Sequence, residues 1–247
     1  MKESYNWKSL FAGVVIILVG IALCITSAYV PDPWNSILLS IGCSLIASGL
    51  VILMHDFFVE RKQVSLLDEW QVERITATRA EINTDCEMEL HKAKRQVDIV
   101  AFGLQSFRSK YTENQILELL KGGLKFRIVT MNPQSPYVSV REDEEDDKNI
   151  RHSIEKLVEW ADRLNEKNAK GKIIVKGYDT MTLDFYWRSD DVVYVGPYWY
   201  GRGSQQTITY KYRSGGNGFK IYTDYFEELW SNNDVVKPLT KITVFKK

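Results

Sequence analysis

The sequence predicts an α/β protein with a two-helix transmembrane hairpin at its N-terminus, a helical stalk and a mixed-sheet C-terminal domain. Three observations predict this class. Two long uncharged stretches open the chain, a polar segment with helical spacing follows, and short apolar runs then alternate with amphipathic ones. Alternation between strand and helix patterns is typical of α/β domains. We therefore divide the chain into three parts, residues 1–55, 56–96 and 97–247.

Two stretches near the N-terminus are long enough to cross a membrane. No charged residue lies between Lys8 and Asp32, or between Asp32 and His55, and a membrane-spanning helix needs about 20 apolar residues. A cleaved signal peptide is the alternative for the first stretch, but its apolar region would be shorter and a second stretch follows at once. The proline-containing turn at Val30–Pro33 makes the pair a hairpin. We predict two spans, at about residues 9–30 and 34–54.

Basic residues at the outer ends of the hairpin predict its orientation. Lys2 and Lys8 precede the first span. Arg61 and Lys62 follow the second, and the connecting turn carries only Asp32. The positive-inside rule then places both termini in the cytoplasm. We predict a multi-pass protein of the inner (cytoplasmic) membrane whose two spans contact the lipid bilayer.

Small residues in the second span predict close helix contact. Ser40, Ser44 and Ser48 share one helix face, and Gly42 and Gly49 lie on another. Oligomerisation through the membrane and packing within the hairpin both explain this pattern, and we expect a homo-oligomer. No charged residue lies inside either span, so an ion pathway is not indicated.

Residues 56–96 lack proline and glycine and show helical spacing. Val64, Leu67, Trp70 and Arg74 would share one helix face. A solvated connector and a short coiled coil are the two interpretations. We favour the connector, because three sustained apolar heptads are absent.

The composition limits the classes of function. The 247 residues include 32 basic and 32 acidic ones, so the formal net charge is zero. Broad, sequence-independent nucleic-acid binding needs an excess of basic residues, and we do not expect it. Cys24, Cys43 and Cys86 show neither metal-ligand nor disulfide spacing, and the three histidines are far apart. We predict no metal, no cofactor and a reducing compartment.

From Val97 onward, strand and helix patterns alternate. Thr112 is suited to cap one helix, which Gly122–Gly123 would end. A second helix is predicted from about Lys148 to Ala169, after an acidic run, 142–147, that we interpret as a solvated loop rather than a calcium site. The predicted strands are VDIVAFG, LKFRIVTMNP, KIIVKGYD, LDFYWR, VVYVGPYW and TITYKY. Ser189-Asp190-Asp191 joins LDFYWR and VVYVGPYW as a hairpin, and KIYTDYFEELW is a closing amphipathic helix.

The order of these pieces resembles the phospholipase D-like superfamily over about Leu90 to Asn232, or 58% of the chain. Four stretches carry the resemblance: HKAKRQVDIVAFGLQSF, ILELLKGGLKFRIVTMNP, DFYWRSDDVVYVGP and FEELW. None is specific by itself, and the order in which they occur makes the likeness.

The resemblance implies catalytic groups that this chain lacks. Active members use a histidine nucleophile, a lysine two residues on, an aspartate about five residues further and then Gly-Ser. Counting back from Asp191 places Asp184 at the histidine position and Tyr186 at the lysine position, and counting from Asp190 moves both by one. Pro197 stands where the serine would be. Asp184 remains as the one catalytic candidate.

The resemblance also implies a cleft at the strand ends where these motif residues would lie. Arginine supplies a planar fork for phosphate and tyrosine a stacking face. Strand alternation places Tyr186 and Arg188 on one side, opposite Phe185 and Trp187, so we expect Tyr186 and Arg188 to face one cleft. Core packing is the alternative for each aromatic residue. The predicted ligand residues are Asn132, Arg141, Tyr186, Arg188, Tyr198, Ser204 and Gln206.

Three hypotheses of function follow. The first is a membrane-anchored, non-catalytic sensor or effector, a pseudoenzyme whose domain binds a nucleotide, another anionic ligand or a partner. Its assignment to bacterial anti-phage defence rests on analogy of architecture. The second is a membrane-bound phosphodiesterase or phospholipase with an altered active site. The third is a scaffold that assembles partners at the membrane.

Overall fold

The chain divides into two compact units, Met1–Asp68 and Glu69–Lys247. The structure is a computed structural model of the 247-residue chain. It describes four segments, residues 7–55, 68–145, 149–181 and 183–244.

The first unit contains two helices, α1 (Trp7–Ser27) and α2 (Trp34–His55), that are long and apolar enough to cross a membrane. They lie where the sequence predicted two spans. Glycines let the two backbones approach closely. A Cβ atom added at Gly20 would lie 2.7 Å from the Gly42 carbonyl oxygen, and one added at Gly42 would lie 2.8 Å from that of Gly20. A larger residue at either position would therefore separate the helices.

The two small-residue faces of α2 have different environments. Gly42 and Gly49 are buried against α1, so packing within the hairpin accounts for the glycines. Ser40, Ser44 and Ser48 are exposed on another face, where the Ser44 hydroxyl donates to the Ser40 carbonyl oxygen at 2.9 Å.

The second unit is built around one mixed sheet of eight strands, in the order β1-β7-β6-β5-β2-β3-β4-β8. Strands β2, β3 and β4 are parallel, and the other neighbouring pairs are antiparallel. The predicted mixed α/β class is confirmed. The strands are β1 (Val72–Thr76), β2 (Gln96–Val100), β3 (Lys125–Met131), β4 (Ile173–Tyr178), β5 (Phe185–Ser189), β6 (Val192–Gly196), β7 (Thr209–Arg213) and β8 (Val236–Pro238).

Helices cover both faces of the sheet. One face packs against α3, α4, α5 and α7, and the other packs mainly against α8. Phe185 and Trp187 lie in the core on the first of these faces, and Tyr186 lies in the core beneath α8, as strand alternation predicts. The helices are α3 (Asn83–Lys92), α4 (Gln105–Lys110), α5 (Glu113–Lys121), α6 (Pro136–Glu145), α7 (Ile150–Asn165), α8 (Asn217–Ser231) and α9 (Lys241–Val244), with a 3₁₀ turn at Arg79–Ile82.

The structure differs from the predicted stalk over 56–96. Residues 56–67 lie outside the described segments, but β1 and α3 belong to the second unit. Strand β1 pairs with β7, and Ile82 and Leu90 are each 1% exposed in the core. The physical reason is that β-branched residues favour a strand in 72–76, and burial of apolar side chains then holds α3 against the sheet.

Helix α6 is not among the predicted helices, and the ends of the next helix differ from those predicted. Helix α6 continues to Glu145, into the acidic run that we assigned to a loop, while residues 146–148 lie outside the described segments. The following helix, α7, begins at Ile150. The cap of α5 is confirmed: the backbone N–H of Gln115 donates to the Thr112 hydroxyl oxygen at 3.3 Å.

The turn between β5 and β6 is held to the start of β2 by one carboxylate. Asp190 has the left-handed backbone conformation, with φ of 46°. Its carboxylate accepts backbone N–H bonds from Lys94 at 2.8 Å, Arg95 at 3.1 Å and Gln96 at 2.9 Å. Burial raises the pKa of Asp190, but the three N–H groups and Arg95 outweigh it and hold that pKa below its usual value.

We expect Asp190→Asn to lower the free energy of unfolding by about 1–2 kcal/mol, because a charged acceptor is lost. Asparagine tolerates the left-handed conformation, so the turn is retained.

The pKa of Asp190 is lower in the folded protein than in the unfolded chain. Its carboxylate therefore stabilises the fold above the unfolded-state pKa, and this stabilisation is lost as pH falls through the folded-state pKa. The variant should therefore lose less stability than the wild type on acidification below about pH 4. Urea unfolding at pH 7 and pH 3 measures this, with Asp191→Asn as the control. Equal acid sensitivity of Asp190→Asn and the wild type would contradict it.

Candidate functional site

A cavity of about 400 Å³ lies at the edge of the sheet where β2 and β6 end and β5 begins. These ends meet because β5 runs antiparallel to both neighbours. Phe102 follows β2, Phe185 begins β5 and Tyr198 follows β6, and all three side chains line the cavity. A volume of this size is typical of small-molecule sites.

One face of α3 forms a wall of the cavity. Asn83, Cys86, Glu87 and Leu90 all line it, and their spacing of three, four and seven residues places them on one side of a helix. The first turn of α7 contributes Ser153 opposite. Local helix periodicity therefore explains why these residues face the cavity together.

The loop between β2 and α4 is fixed by a close approach to α7. A Cβ atom added at Gly103 would lie 2.0 Å from the Ser153 hydroxyl oxygen, so only glycine fits there. Leu104 follows in the left-handed conformation, with φ of 50°, which is unfavourable for leucine by about 1–2 kcal/mol. Arg108 Nε donates to the Gly103 carbonyl oxygen at 2.9 Å. The loop that lines the cavity is thus held in one conformation.

Arg79 is one of four charged residues that line the cavity, with Glu87, Lys110 and Glu145. Arg79 is 3% exposed, and its guanidinium lies 4.0 Å from the ring centre of Phe185 and 4.6 Å from that of Tyr198. Nη2 donates to the Thr207 hydroxyl oxygen at 3.0 Å and to the Pro197 carbonyl oxygen at 3.4 Å, while the buried Nε has no hydrogen-bond partner among the described residues. Within the four described segments, no carboxylate lies within ion-pair distance of Arg79, although Glu145 and Asp184 interact with its charge from farther away. A buried cation without a direct counter-ion therefore borders the cavity.

Burial lowers the pKa of Arg79, although Tyr198 and Glu145 oppose this shift. The guanidinium nevertheless stays protonated at neutral pH, because its unperturbed pKa exceeds 12. Burial also raises the pKa of the Tyr198 hydroxyl, against the effect of Arg79. The tyrosine is therefore neutral and leaves the charge of the arginine in place.

A second buried arginine, Arg141, also lies near the ring of Tyr198. It is 2% exposed, and its guanidinium lies 5.3 Å from the Tyr198 ring centre. Unlike Arg79, it has carboxylate partners. Nη1 lies 2.9 Å from Glu144, and Nη2 forms a short ion pair with Glu145. Arg141 thus pairs directly with carboxylates, whereas Glu145 and Asp184 act on Arg79 only at longer range.

Arg141 and Glu145 also fix the segment that follows β6. Arg141 donates to the carbonyl oxygens of Trp199 at 3.3 Å and Arg202 at 3.4 Å. The backbone N–H of Ser204 donates to Glu145 at 3.3 Å. We call residues 197–204 the rim segment, because Tyr198 and Ser204 line the cavity within it.

Two of the seven predicted ligand residues line this cavity, and a third contacts one of them. Tyr198 and Ser204 line it, and Arg141 contacts the ring of Tyr198. Their common position follows from the sheet edge, since the rim segment begins where β6 ends.

Tyr186 and Arg188 lie on the opposite face of the sheet, beneath α8. They share a face as alternation predicts, but Tyr186 stacks on Phe226 with ring centres 5.0 Å apart. Arg188 Nη1 lies 3.5 Å from Asp98, and its guanidinium lies 5.3 Å from the ring centre of Phe219. A helix covers this face of β5, so the structure does not bring these two residues to the cavity.

The remaining predicted residues lie elsewhere. The Asn132 side chain accepts from the backbone N–H of Gln134 at 3.1 Å and shapes a turn. Gln206 is exposed, whereas its neighbour Gln205 lines the cavity. The catalytic candidate Asp184 is exposed and precedes β5; partial burial raises its pKa, and Arg79 opposes the shift.

Arg79 was not among the residues predicted for the site, because we assigned it to the stalk. The β-branched residues Val72, Ile75 and Thr76 were a local signal for a strand just before it. The contributions of Phe102 and Glu145 depend on long-range packing and had no such signal.

Fold and site together define a class of protein: an α/β domain with a cation-bordered cavity, joined to two helices apolar enough to cross a membrane. No protein-family model and no curated protein matches the chain. The solved structures that resemble it include two phospholipase D-like proteins at low identity, phosphatidylserine synthase and NucT.

The phosphatidylserine synthase of Haemophilus influenzae Rd KW20 is 12% identical, with a TM-score of 0.45 over 70% of this chain, which spans 40% of that chain's length. NucT from Helicobacter pylori is 10% identical, with a TM-score of 0.38 over 67% of this chain and 98% of its own. TrmBL2, an archaeal chromatin protein with a novel mode of DNA binding, is 14% identical, with a TM-score of 0.41 over 77% of this chain and 67% of its own. Likeness at this level is silent on activity, ligand and partners.

Proposed function

We propose that the protein is a membrane-anchored, non-catalytic sensor or effector whose second unit binds a phosphate-bearing anion beside Arg79. Helices α1 and α2 would be its anchor in the inner membrane, with both termini in the cytoplasm. Their length and apolarity support the anchor, and the basic residues that flank the hairpin support the orientation.

The observation that carries the proposal is the buried, directly unpaired charge of Arg79. Burying a charge without a partner costs several kcal/mol, so a fold retains one where it meets a counter-ion. A guanidinium suits phosphate, because its planar fork donates two parallel hydrogen bonds. Thr207 and the rings of Phe185 and Tyr198 hold that fork in place.

The cavity lining supports binding rather than cleavage by the histidine route of the resembled superfamily. Among the described side chains that line it, there is one thiol, Cys86, and no histidine. Burial raises the pKa of Cys86, and a protonated thiol is a poor nucleophile. Asp184, the candidate nucleophile of the phosphodiesterase alternative, does not line the cavity.

A signal would be passed to the anchor only if the anion binds one conformation of the protein more tightly than another. A ligand shifts a conformational equilibrium only by as much as it prefers one state. We propose that the anion changes association of the second unit between copies of the chain, and thereby the packing of the anchors. The place of such a sensor in bacterial anti-phage defence is proposed from architecture alone.

Thermal unfolding of the full chain in lipid nanodiscs tests the proposal, with inorganic phosphate, pyrophosphate and nucleoside monophosphates as probes. We expect a saturable rise in the unfolding temperature, because a ligand that binds only the folded state stabilises it by about 2.7 kcal/mol at 100 times its Kd. Phosphodiester and phospholipid turnover are measured in the same samples. Turnover would support the enzyme alternative, and the absence of a shift with every probe would contradict the proposal.

A further inference from the structure

We infer that the ligand is a nucleotide, whose phosphate meets Arg79 and whose base lies at the other end of the cavity against Phe107 and Tyr111. This inference rests on the proposed function and adds a second subsite to it. The subsite is built from residues of α3, of α4 and of the position that directly follows α4.

The cavity has two ends that a single small anion does not connect. Along α3, its lining runs from Asn83 to Leu90, which is about 10 Å at 1.5 Å per residue. Asn83 lies at the arginine end, where its amide donates to Gln205 at 3.2 Å. Tyr111 lies at the other end, with its ring 6.1 Å from that of His91, the residue after Leu90. A ligand that fills the cavity must therefore offer two different groups.

The second end offers a fixed aromatic surface. Phe107 lines the cavity, with its ring centre 4.9 Å from that of Tyr111 and 5.4 Å from that of Trp187. Trp160 and Phe126 support the Phe107 ring at 6.1 and 6.4 Å. Packing on several sides holds these rings in place, and nucleic-acid bases bind such aromatic surfaces by stacking.

The same end holds an unused hydrogen-bonding group. Tyr111 is 6% exposed, and its buried hydroxyl has no hydrogen-bond partner in the part of the chain that the structure describes. Burial, with Glu87 and Cys86 nearby, raises the pKa of Tyr111 to about 12, so the hydroxyl remains a donor. A buried donor left unpaired is unfavourable. A base offers ring nitrogens and carbonyl oxygens to this hydroxyl, whereas an acyl chain would leave it unpaired.

Binding of the full chain in nanodiscs to nucleoside monophosphates and to ribose 5-phosphate tests the second subsite. We expect at least one nucleotide to bind about tenfold or more tightly than ribose 5-phosphate, because only the nucleotide reaches the aromatic end. Tyr111→Phe should weaken that nucleotide by about five- to tenfold and leave ribose 5-phosphate unchanged. Tyr194→Phe is the matched control, since the Tyr194 hydroxyl is also buried and unpaired but does not line the cavity.

The outcomes separate this inference from the proposal beneath it. Equal affinity for ribose 5-phosphate and every nucleotide overturns the nucleotide inference and leaves the anion site intact. A Tyr111→Phe variant that binds the nucleotide as the wild type does overturns the inference as well. If neither probe binds, the proposed function fails and the second subsite fails with it.

Discussion

Arg79→Met should lose phosphate binding while the unliganded protein stays at least as stable as the wild type. Truncating one partner of a buried charge-assisted contact typically weakens binding by about 2–5 kcal/mol. Methionine retains apolar contact with the rings of Phe185 and Tyr198 and removes a buried charge that has no direct counter-ion. Removing a buried charge relieves the cost of its desolvation, which we expect to outweigh loss of the hydrogen bond to Thr207. Phosphate titrations and unliganded unfolding temperatures measure both effects.

Arg163→Met is the control for loss of one positive charge. Its side chain is 45% exposed and pairs with Glu113, so we expect a change in stability below about 1 kcal/mol and unchanged phosphate binding. Wild-type affinity in Arg79→Met would contradict the site. If Arg79→Met does not fold, Arg79→Lys is the second test, because lysine retains the charge but lacks the planar fork. Weakened phosphate binding by a folded Arg79→Lys variant would support the site. Unchanged phosphate binding by that variant would argue against it.

Asp98→Ala should produce the largest loss of stability, about 3–5 kcal/mol, because it removes one partner of a buried ion pair. Asp98 is fully buried on β2 and accepts from Arg127 at 2.6 and 2.8 Å. Arg188 lies 3.5 Å away on β5. Without the carboxylate, two partly buried guanidinium groups would lie next to each other. Urea unfolding of the full chain in detergent measures the change.

Glu227→Ala provides the comparison for Asp98→Ala, because Glu227 pairs with the same arginine, Arg127, at 2.6 Å. Its side chain is 51% exposed, so we expect a loss of about 1 kcal/mol or less. If the two variants were equally stable, burial would not be what makes the Asp98 pair important.

The parts of the fold that the sequence predicted are those with a strong local pattern. Uninterrupted apolar length marks α1 and α2, and alternation marks β5 and β6 on either side of the turn at Asp190. The cap at Thr112 is equally local, because donor and acceptor lie three residues apart. In each case, the residues that determine the element lie within it or beside it.

The parts that were missed depend on contacts between distant residues. Strand β1 is short and mostly exposed, and it forms only by pairing with β7, more than 130 residues later. Arg79 lies in the 3₁₀ turn between β1 and α3. The pairing of β1 with β7 brings this turn to the edge of the sheet where the cavity lies. Strand alternation correctly placed Tyr186 and Arg188 on the same face of the sheet. It could not predict that α8 covers this face, which keeps both residues away from the cavity. Of the seven predicted ligand residues, Tyr198 and Ser204 line the cavity, and a role of any of the seven in binding stays a prediction.

The way in which the rim segment is attached has a consequence for how this protein can diversify. Arg141 holds the carbonyl oxygens of Trp199 and Arg202 rather than their side chains. Tyr200, between them, is 83% exposed. Since every residue type has a backbone carbonyl, side chains at these positions can be exchanged without losing the attachment. Substitutions at these positions can thus alter the surface of the rim segment while its attachment to Arg141 is retained.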